Sequence, residues 1–320
     1  MSKLWIGITG LLVWAGTVVA ATNLAAPVAS MASTSARTND PVEAEFQKLM
    51  ETDDNAHAEV DGWIRENEAF AAKGGGTSRD EMRQRIRQRL SPIGKAYLDF
   101  LERHPRHVKA RVAYASFLSD FEGEEAAEAQ LEKALEVETN DPALYNNLAN
   151  IYGHIGSVKK AFEYYARAIQ LNPLEPVYYQ NLGTTVYLFR KDAQEFYDVT
   201  EPEVFAKAFV LYSNAMRLDP DNFPLATDVA ESYYGFPPLR VEEALRAWTN
   251  ALNIAHNEVE REGVYVHLAR VKLLAGRFDE ARAQLKAVSD PTYAELKARL
   301  ERNADLRQKE LETNAPAKPK

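Results

Sequence analysis

From residue 40 onward, apolar residues recur three and four positions apart, and no stretch keeps the period-2 alternation that strands require. Three helix starts are explicit. Asp40-Pro41-Val42-Glu43 offers an Asp cap, a proline at the first helical position and an acid in the first turn. Ser78-Arg79-Asp80-Glu81 reads as a capping box after the breaker Gly74-Gly75-Gly76, and Thr200-Glu201-Pro202-Glu203 as another. In each, the acid can accept a backbone N–H at its cap and also suits the positive end of the helix dipole. The pattern predicts an all-α chain with a helical region over 40–105, an array over 106–290 and a last helix over 291–311. That last helix carries a charged outer face of Glu295, Lys297, Arg299, Glu301 and Arg302, as the end of a stack needs. Residues 22–39, rich in Ala, Ser, Thr and Pro, read as a flexible linker, and 312–320 as a disordered tail.

The array repeats. Between Pro142 and Pro173 stand Tyr145, Leu148, Ala149 and Tyr152, then Ala161, Tyr165 and Ala168. One period on come Tyr179, Leu182 and Gly183, with the second half at Ala208, Tyr212 and Ala215 and a closing Pro220. One period back lie Ala115, Leu118, Ala127, Leu131 and Ala134. Later units hold Ala230, Tyr233, Ala244, Trp248 and Ala251, then Tyr265, Leu268, Ala269, Gly276, Ala281 and Leu285. Small residues let two antiparallel helices approach, and the larger ones fill the space between neighbouring hairpins. One hairpin cannot bury its apolar face alone, so stacking creates the core.

This spacing resembles the tetratricopeptide repeat, with Ala149 in place of the usual glycine. The resemblance implies a right-handed superhelix (an α-solenoid) of stacked helix–turn–helix units, about five of them across 106–290. It departs from the pattern at an insertion near 188–200, which includes Phe189, Phe196 and Tyr197. That stretch reads either as a packing elaboration or as part of a binding face.

Composition narrows the functional classes. The 320 residues carry 38 Lys and Arg against 47 Asp and Glu, a net charge of −9 that argues against nonspecific nucleic-acid binding. Without cysteine there are no disulfides, thiol nucleophiles or Cys-based zinc sites. Residues 1–21 read as a signal peptide: Lys3, then the uncharged run Leu4–Ala20 ending in small residues. The expected location is therefore periplasmic or secreted. An uncleaved membrane anchor is the alternative, and it supplies the only membrane contact the sequence suggests.

Catalytic signals are missing. The six histidines (57, 104, 107, 154, 256 and 267) form no HExxH. His104 and His107 straddle Pro105, where a solvated turn explains them better than a metal site. Lys73-Gly-Gly-Gly-Thr77 has the wrong order for a phosphate loop, and Glu124-Glu125 and Glu242-Glu243 suit helix starts. No cofactor, metal or enzymatic activity is expected.

What the resemblance implies instead is a concave groove lined by the first helix of each unit. Its polar candidates are Asn146, Asn147, Asn150 and His154, then Gln180, Asn181, Thr184 and Tyr187, then Thr227, Asp228, Glu231, Tyr234 and Arg270. Amides both donate and accept, so they suit a peptide backbone, with Tyr187 and Tyr234 as aromatic anchors. The basic set with which some family members clamp a C-terminal carboxylate is not matched. With Asn147 as the middle amide the neighbouring units offer Val112, Ser116, Val177 and Asn181, none of them basic, and with Asn181 in that place Asp228 stands where an arginine is wanted. The expected partner is an extended peptide or helix of another protein, whose identity the sequence leaves open. Two alternatives stay open: a structural envelope component docking through 188–200, and a binder or enzyme acting on glycans or small molecules.

Overall fold

The computed structural model describes residues 40–71 and 74–314. The expected signal peptide, the linker and the end of the tail lie outside these residues. Among the described residues there are fourteen α-helices and no strand, so the fold is all-α. None of these helices is long and apolar enough to cross a membrane.

Residues 40–174 and 175–314 form two compact units. The first contains α1 (Pro41–Ala71), α2 (Arg79–Arg103), α3 (Val108–Phe121), α4 (Glu124–Val137), α5 (Pro142–His154) and α6 (Val158–Leu171). Each helix packs on the next in sequence, and the α3–α4 and α5–α6 hairpins are the tightest pairs. Side chains at the helix starts explain where the turns fall. The Asp40 carboxylate accepts from Val42 N at 2.9 Å, and Ser78 and Glu81 close a reciprocal capping box. At α5, Asp141 accepts from Ala143 N at 2.8 Å, and Pro142 stands where its missing N–H costs nothing. Between α1 and α2 the Asn67 side chain accepts from Thr77 N and donates to Thr77 O, clasping the glycine turn.

Burial in the α5–α6 hairpin follows the repeat. Leu148, Ala149, Ala161 and Ala168 are fully buried, with Tyr152 and Tyr165 nearly so. The alanines allow close approach, and the tyrosines fill the seams and carry their hydroxyls to polar partners. Tyr152 donates to Glu132 of α4 at 3.2 Å, and Tyr164 lies across both Tyr145 and Tyr152.

The second unit contains α7 (Pro176–Leu188), α8 (Arg190–Tyr197), α9 (Glu201–Leu218), α10 (Phe223–Ser232), α11 (Val241–Ile254), α12 (Glu258–Leu274), α13 (Phe278–Leu285) and α14 (Ala294–Asn314). Helix α7 pairs with α9, and α8 is a short helix within the stretch 188–200. Gly183 sets that pairing, because a Cβ there would stand 3.1 Å from the Tyr212 ring and 3.3 Å from Leu211 Cβ. Tyr145 and Tyr179 are each the fourth residue of their helices, α5 and α7. Farther along, Trp248 is buried with Ala226, Ala230, Ala244, Ala251, Val264, Leu268 and Val271. A second cluster joins Val266, Ala269, Leu273, Ala281 and Leu285 to Leu300 and Ala304 of the last helix.

The last helix differs from expectation at both ends. Pro291–Tyr293 is a 3-10 turn begun by Asp290, whose carboxylate accepts from Thr292 N at 2.8 Å, and α14 then runs to Asn314. No Gly or Pro stands between Ala294 and Asn314 to stop it, and the first residue disfavouring a helix is Ala315, which precedes Pro316. Residues 312–314, assigned to a tail by composition, are therefore helical.

Candidate functional site

The candidate groove residues fall into the two units. On α5, the four residues do different work. Asn146 is 1% exposed. Asn150 is also buried, and its Oδ1 accepts the Tyr165 hydroxyl at 2.5 Å. That bond makes Asn150 a holder of the hairpin, since a buried hydroxyl without an acceptor is costly. The side-chain oxygen of Asn147 is buried and accepts no hydrogen bond from any described residue. His154, at the exposed end of α5, reaches back to Glu124 of α4, Nδ1 to Oε1 at 2.9 Å. This contact, more than any other, pulls the Glu124 carboxyl below the usual range against the effect of burial.

The second unit gathers most of its candidates into one polar cluster. Helix α10 presents Asp228 and Glu231 one turn apart, a spacing that puts both carboxyls on one face. Gln180 of α7 donates from Nε2 to Asp228 Oδ2 at 2.8 Å, which orients that carboxylate. The next turn of α7 carries Thr184, whose hydroxyl lies 3.1 Å from the Tyr212 hydroxyl of α9. Tyr187 follows, its ring against Phe205 and 5.3 Å from the Arg190 guanidinium. Its hydroxyl lies so close to Gly235 that a Cβ there would overlap it.

Tyr234 sits in the 3-10 turn Tyr233–Gly235 after α10. Its hydroxyl donates to the His267 carbonyl at 3.3 Å, and the Arg270 guanidinium lies 4.4 Å over its ring. Two candidates contribute differently. The Thr227 hydroxyl turns back to Pro224 O at 2.7 Å, and the backbone carbonyl of Asn181 accepts the Thr185 hydroxyl at 2.8 Å.

His267 was not among the residues singled out, yet it joins the site. Its ring stacks on Trp248 at 4.1 Å, and its Nε2 lies 3.9 Å from Glu231 Oε1. The available signal was its position on α12, one turn before Arg270, which places both on one face.

Charge in this cluster is unbalanced. Burial raises the Asp228 carboxyl above its ordinary value, and the Gln180 bond only partly offsets it. Burial and then the neighbouring Asp228 charge push Glu231 up to about 7, against the pull of Arg270. His267 is driven down to about 3 by burial, with Arg270 adding to the effect, so its imidazole stays neutral near pH 7. The two acids thus share the cluster with the Arg270 guanidinium and a neutral histidine. No group of three or more His, Asp or Glu suited to a metal ion occurs among the described residues.

Comparison with known proteins meets this architecture at the α5–α6 hairpin, where the sequence fits the tetratricopeptide-repeat family profile over residues 142–173. That segment is similar to a tetratricopeptide repeat. Such repeats present extended surfaces on which other proteins dock. The photosystem I assembly protein Ycf3 of Cyanophora paradoxa is 34% identical to this chain over 80 residues. The match takes in 25% of this chain and spans 46% of that relative's length. Among solved structures, YrrB, described as a TPR protein with an unusual peptide-binding site, aligns with a TM-score of 0.47 at 15% identity. The alignment covers 65% of this chain and 99% of YrrB. A tetratricopeptide repeat protein from Parabacteroides merdae aligns with a TM-score of 0.48 at 15% identity, covering 81% of this chain and 94% of the other.

Proposed function

We propose that the chain is a non-catalytic scaffold that binds an extended segment of a partner protein. The contact surface lies on the face where α7, α10 and α12 meet. The observation that carries this reading is the convergence of Gln180, Asp228, Glu231, Tyr234 and Arg270 from three hairpins onto one polar and aromatic patch. Amide, carboxyl and guanidinium groups side by side match the mixed donors and acceptors of a peptide, and tyrosine rings supply area at low entropic cost. The repeat at 142–173 supports a binding role. A nucleophile paired with a base, as acyl or phosphoryl transfer needs, is not part of the cluster. The apolar run at 4–20 supports placing the work outside the cytoplasm.

Photo-crosslinking in cells tests the reading. A crosslinking residue at Thr227, beside Asp228 on α10, should capture a partner polypeptide that the same residue at Asp279 of α13 does not. Equal capture at both positions, or none at Thr227, refutes a binding face at α7, α10 and α12. The compartment is tested separately by N-terminal sequencing of the mature protein, which should begin near residue 21 or 22.

A further inference from the structure

In the first unit a cleft of about 390 Å³ opens between α1 and α3. One face of α1, from Met50 to Asp61, and one face of α3, from Ala113 to Asp120, form its walls. The two helices meet where the His57 ring stands edge-on to Phe117 at 5.9 Å. Asp53 is committed within the protein: its carboxylate accepts the Tyr97 hydroxyl of α2 at 2.6 Å and lies 2.8 Å from His57 Nδ1. Asp54, Asp61 and Asp120 stand differently. All three are exposed, and among the described residues no Lys, Arg or His comes within ion-pair distance of them. No lysine or arginine lines the cleft. The other ring nitrogen of His57, Nε2, is buried and meets no hydrogen-bond partner among the described residues.

We infer that this cleft is a docking surface for a basic segment of a partner protein, whose Lys or Arg side chains reach Asp54, Asp61 and Asp120. Charge complementarity selects the occupant. Carboxylates without a cation of their own attract one, and charge-assisted hydrogen bonds are the stronger kind. The described residues hold no group of three suited to a metal ion, so the complement is an organic cation. Asp54 and Asp61 lie seven residues apart on one helix, about 10 Å along its axis, a span that takes more than one positive group. The methylene stems of long basic side chains cover Met50, Ala58 and Phe117 while their charged heads stay at the rim. Ser116, also in the wall, can donate its hydroxyl to a peptide carbonyl, which a simple polyamine lacks. This surface belongs to the first unit and stands or falls independently of the face at α7, α10 and α12.

Fluorescence polarisation with the full-length chain and labelled twelve-residue peptides tests it. One peptide carries four arginines among alanines and serines, and the other carries citrulline at the same four places. The arginine peptide should bind at least about tenfold more tightly. Asp54→Asn, Asp61→Asn and Asp120→Asn combined should weaken its binding at least about tenfold, and Ala58→Arg, which sets a guanidinium of the chain itself beside these acids, should do the same. The control Asp80→Asn, Glu242→Gln and Asp279→Asn removes equal charge elsewhere and should change affinity by less than about threefold. Every substituted residue is exposed, so folding should be retained, which circular dichroism checks. Equal losses in the two triple variants would reveal attraction by the net charge of −9 alone and overturn the docking surface. So would an arginine peptide that binds no better than its citrulline counterpart, or not at all. Spermine that displaces the labelled peptide as effectively as the unlabelled arginine peptide does would overturn a polypeptide as the occupant.

Discussion

Replacing Glu231 by glutamine should stabilise the protein, and only on one side of neutrality. The carboxyl titrates at about 7 in the folded chain against an ordinary 4.5. Between those values the folded state keeps a proton that the unfolded state has released. Its contribution is therefore present below pH 4.5 and is lost as pH rises through 7. For a fully buried group that interval corresponds to about 3.4 kcal/mol. With 36% of the side chain exposed, solvent screening reduces it to about 1–2 kcal/mol. Glutamine has the shape of the protonated acid and never ionises. Thermal melts of the full-length variant followed by circular dichroism should thus match wild type at pH 4 and exceed it at pH 8, by about 2–4 °C. His267 works in the opposite direction. Its folded value of about 3 lies below the ordinary 6.5, so its stability is complete above pH 6.5 and is lost as pH falls towards 3. The two windows overlap, so the effects of these two groups should oppose each other between pH 4.5 and 6.5, with stability from the pair falling on either side. A wild-type-to-variant difference that stays constant from pH 4 to pH 8, or a variant less stable at pH 8, refutes the reasoning about uncompensated burial.

Three further changes probe the packing. Trp248→Ala, which removes a side chain 1% exposed, should cost about 3–5 kcal/mol in a denaturant titration, and a cost below 1 kcal/mol would contradict the core described above. Asn150→Ala should cost about 1–3 kcal/mol, because it removes the amide oxygen that accepts the buried Tyr165 hydroxyl, and the added change Tyr165→Phe should recover part of that loss in a double-mutant cycle. The Glu262 carboxylate ties down the turn after α13, accepting from Ser289 N, Ser289 Oγ and Asp290 N at 2.6–2.7 Å. These bonds hold its titration below the ordinary carboxylate value. Its stabilising effect is present above pH 4.5 and is lost as pH falls through its lowered folded value, so Glu262→Ala should lower the melting temperature more at pH 7 than in acid.

How far this structure can be read from its sequence depends on how local the deciding interaction is. The helix starts at Asp40, Ser78 and Thr200 were legible because a cap and its partner lie within four residues of each other. The small and large positions of the α5–α6 hairpin were legible because the repeat states them at fixed spacing. The roles of the polar residues were not, because each is set by a partner far along the chain. Asn150 and His154 look alike as helix polar positions, yet one holds Tyr165 inside the hairpin and the other meets Glu124 at the surface. Asp228 finds Gln180 forty-eight residues away, and His267 finds Trp248 and Glu231 only because α10, α11 and α12 pack together.

The amino-acid order by itself determined that the described chain is helical, where three of its helices begin, and which small residues let neighbours approach. These follow from backbone bonding and apolar periodicity over a few turns. Tertiary structure alone decided which carboxyls lose their water, which histidine stays neutral and where two acids come to share a cluster with Arg270. Desolvation and Coulomb interaction depend on what surrounds a group in space, and residues brought together from three hairpins carry no common mark along the chain.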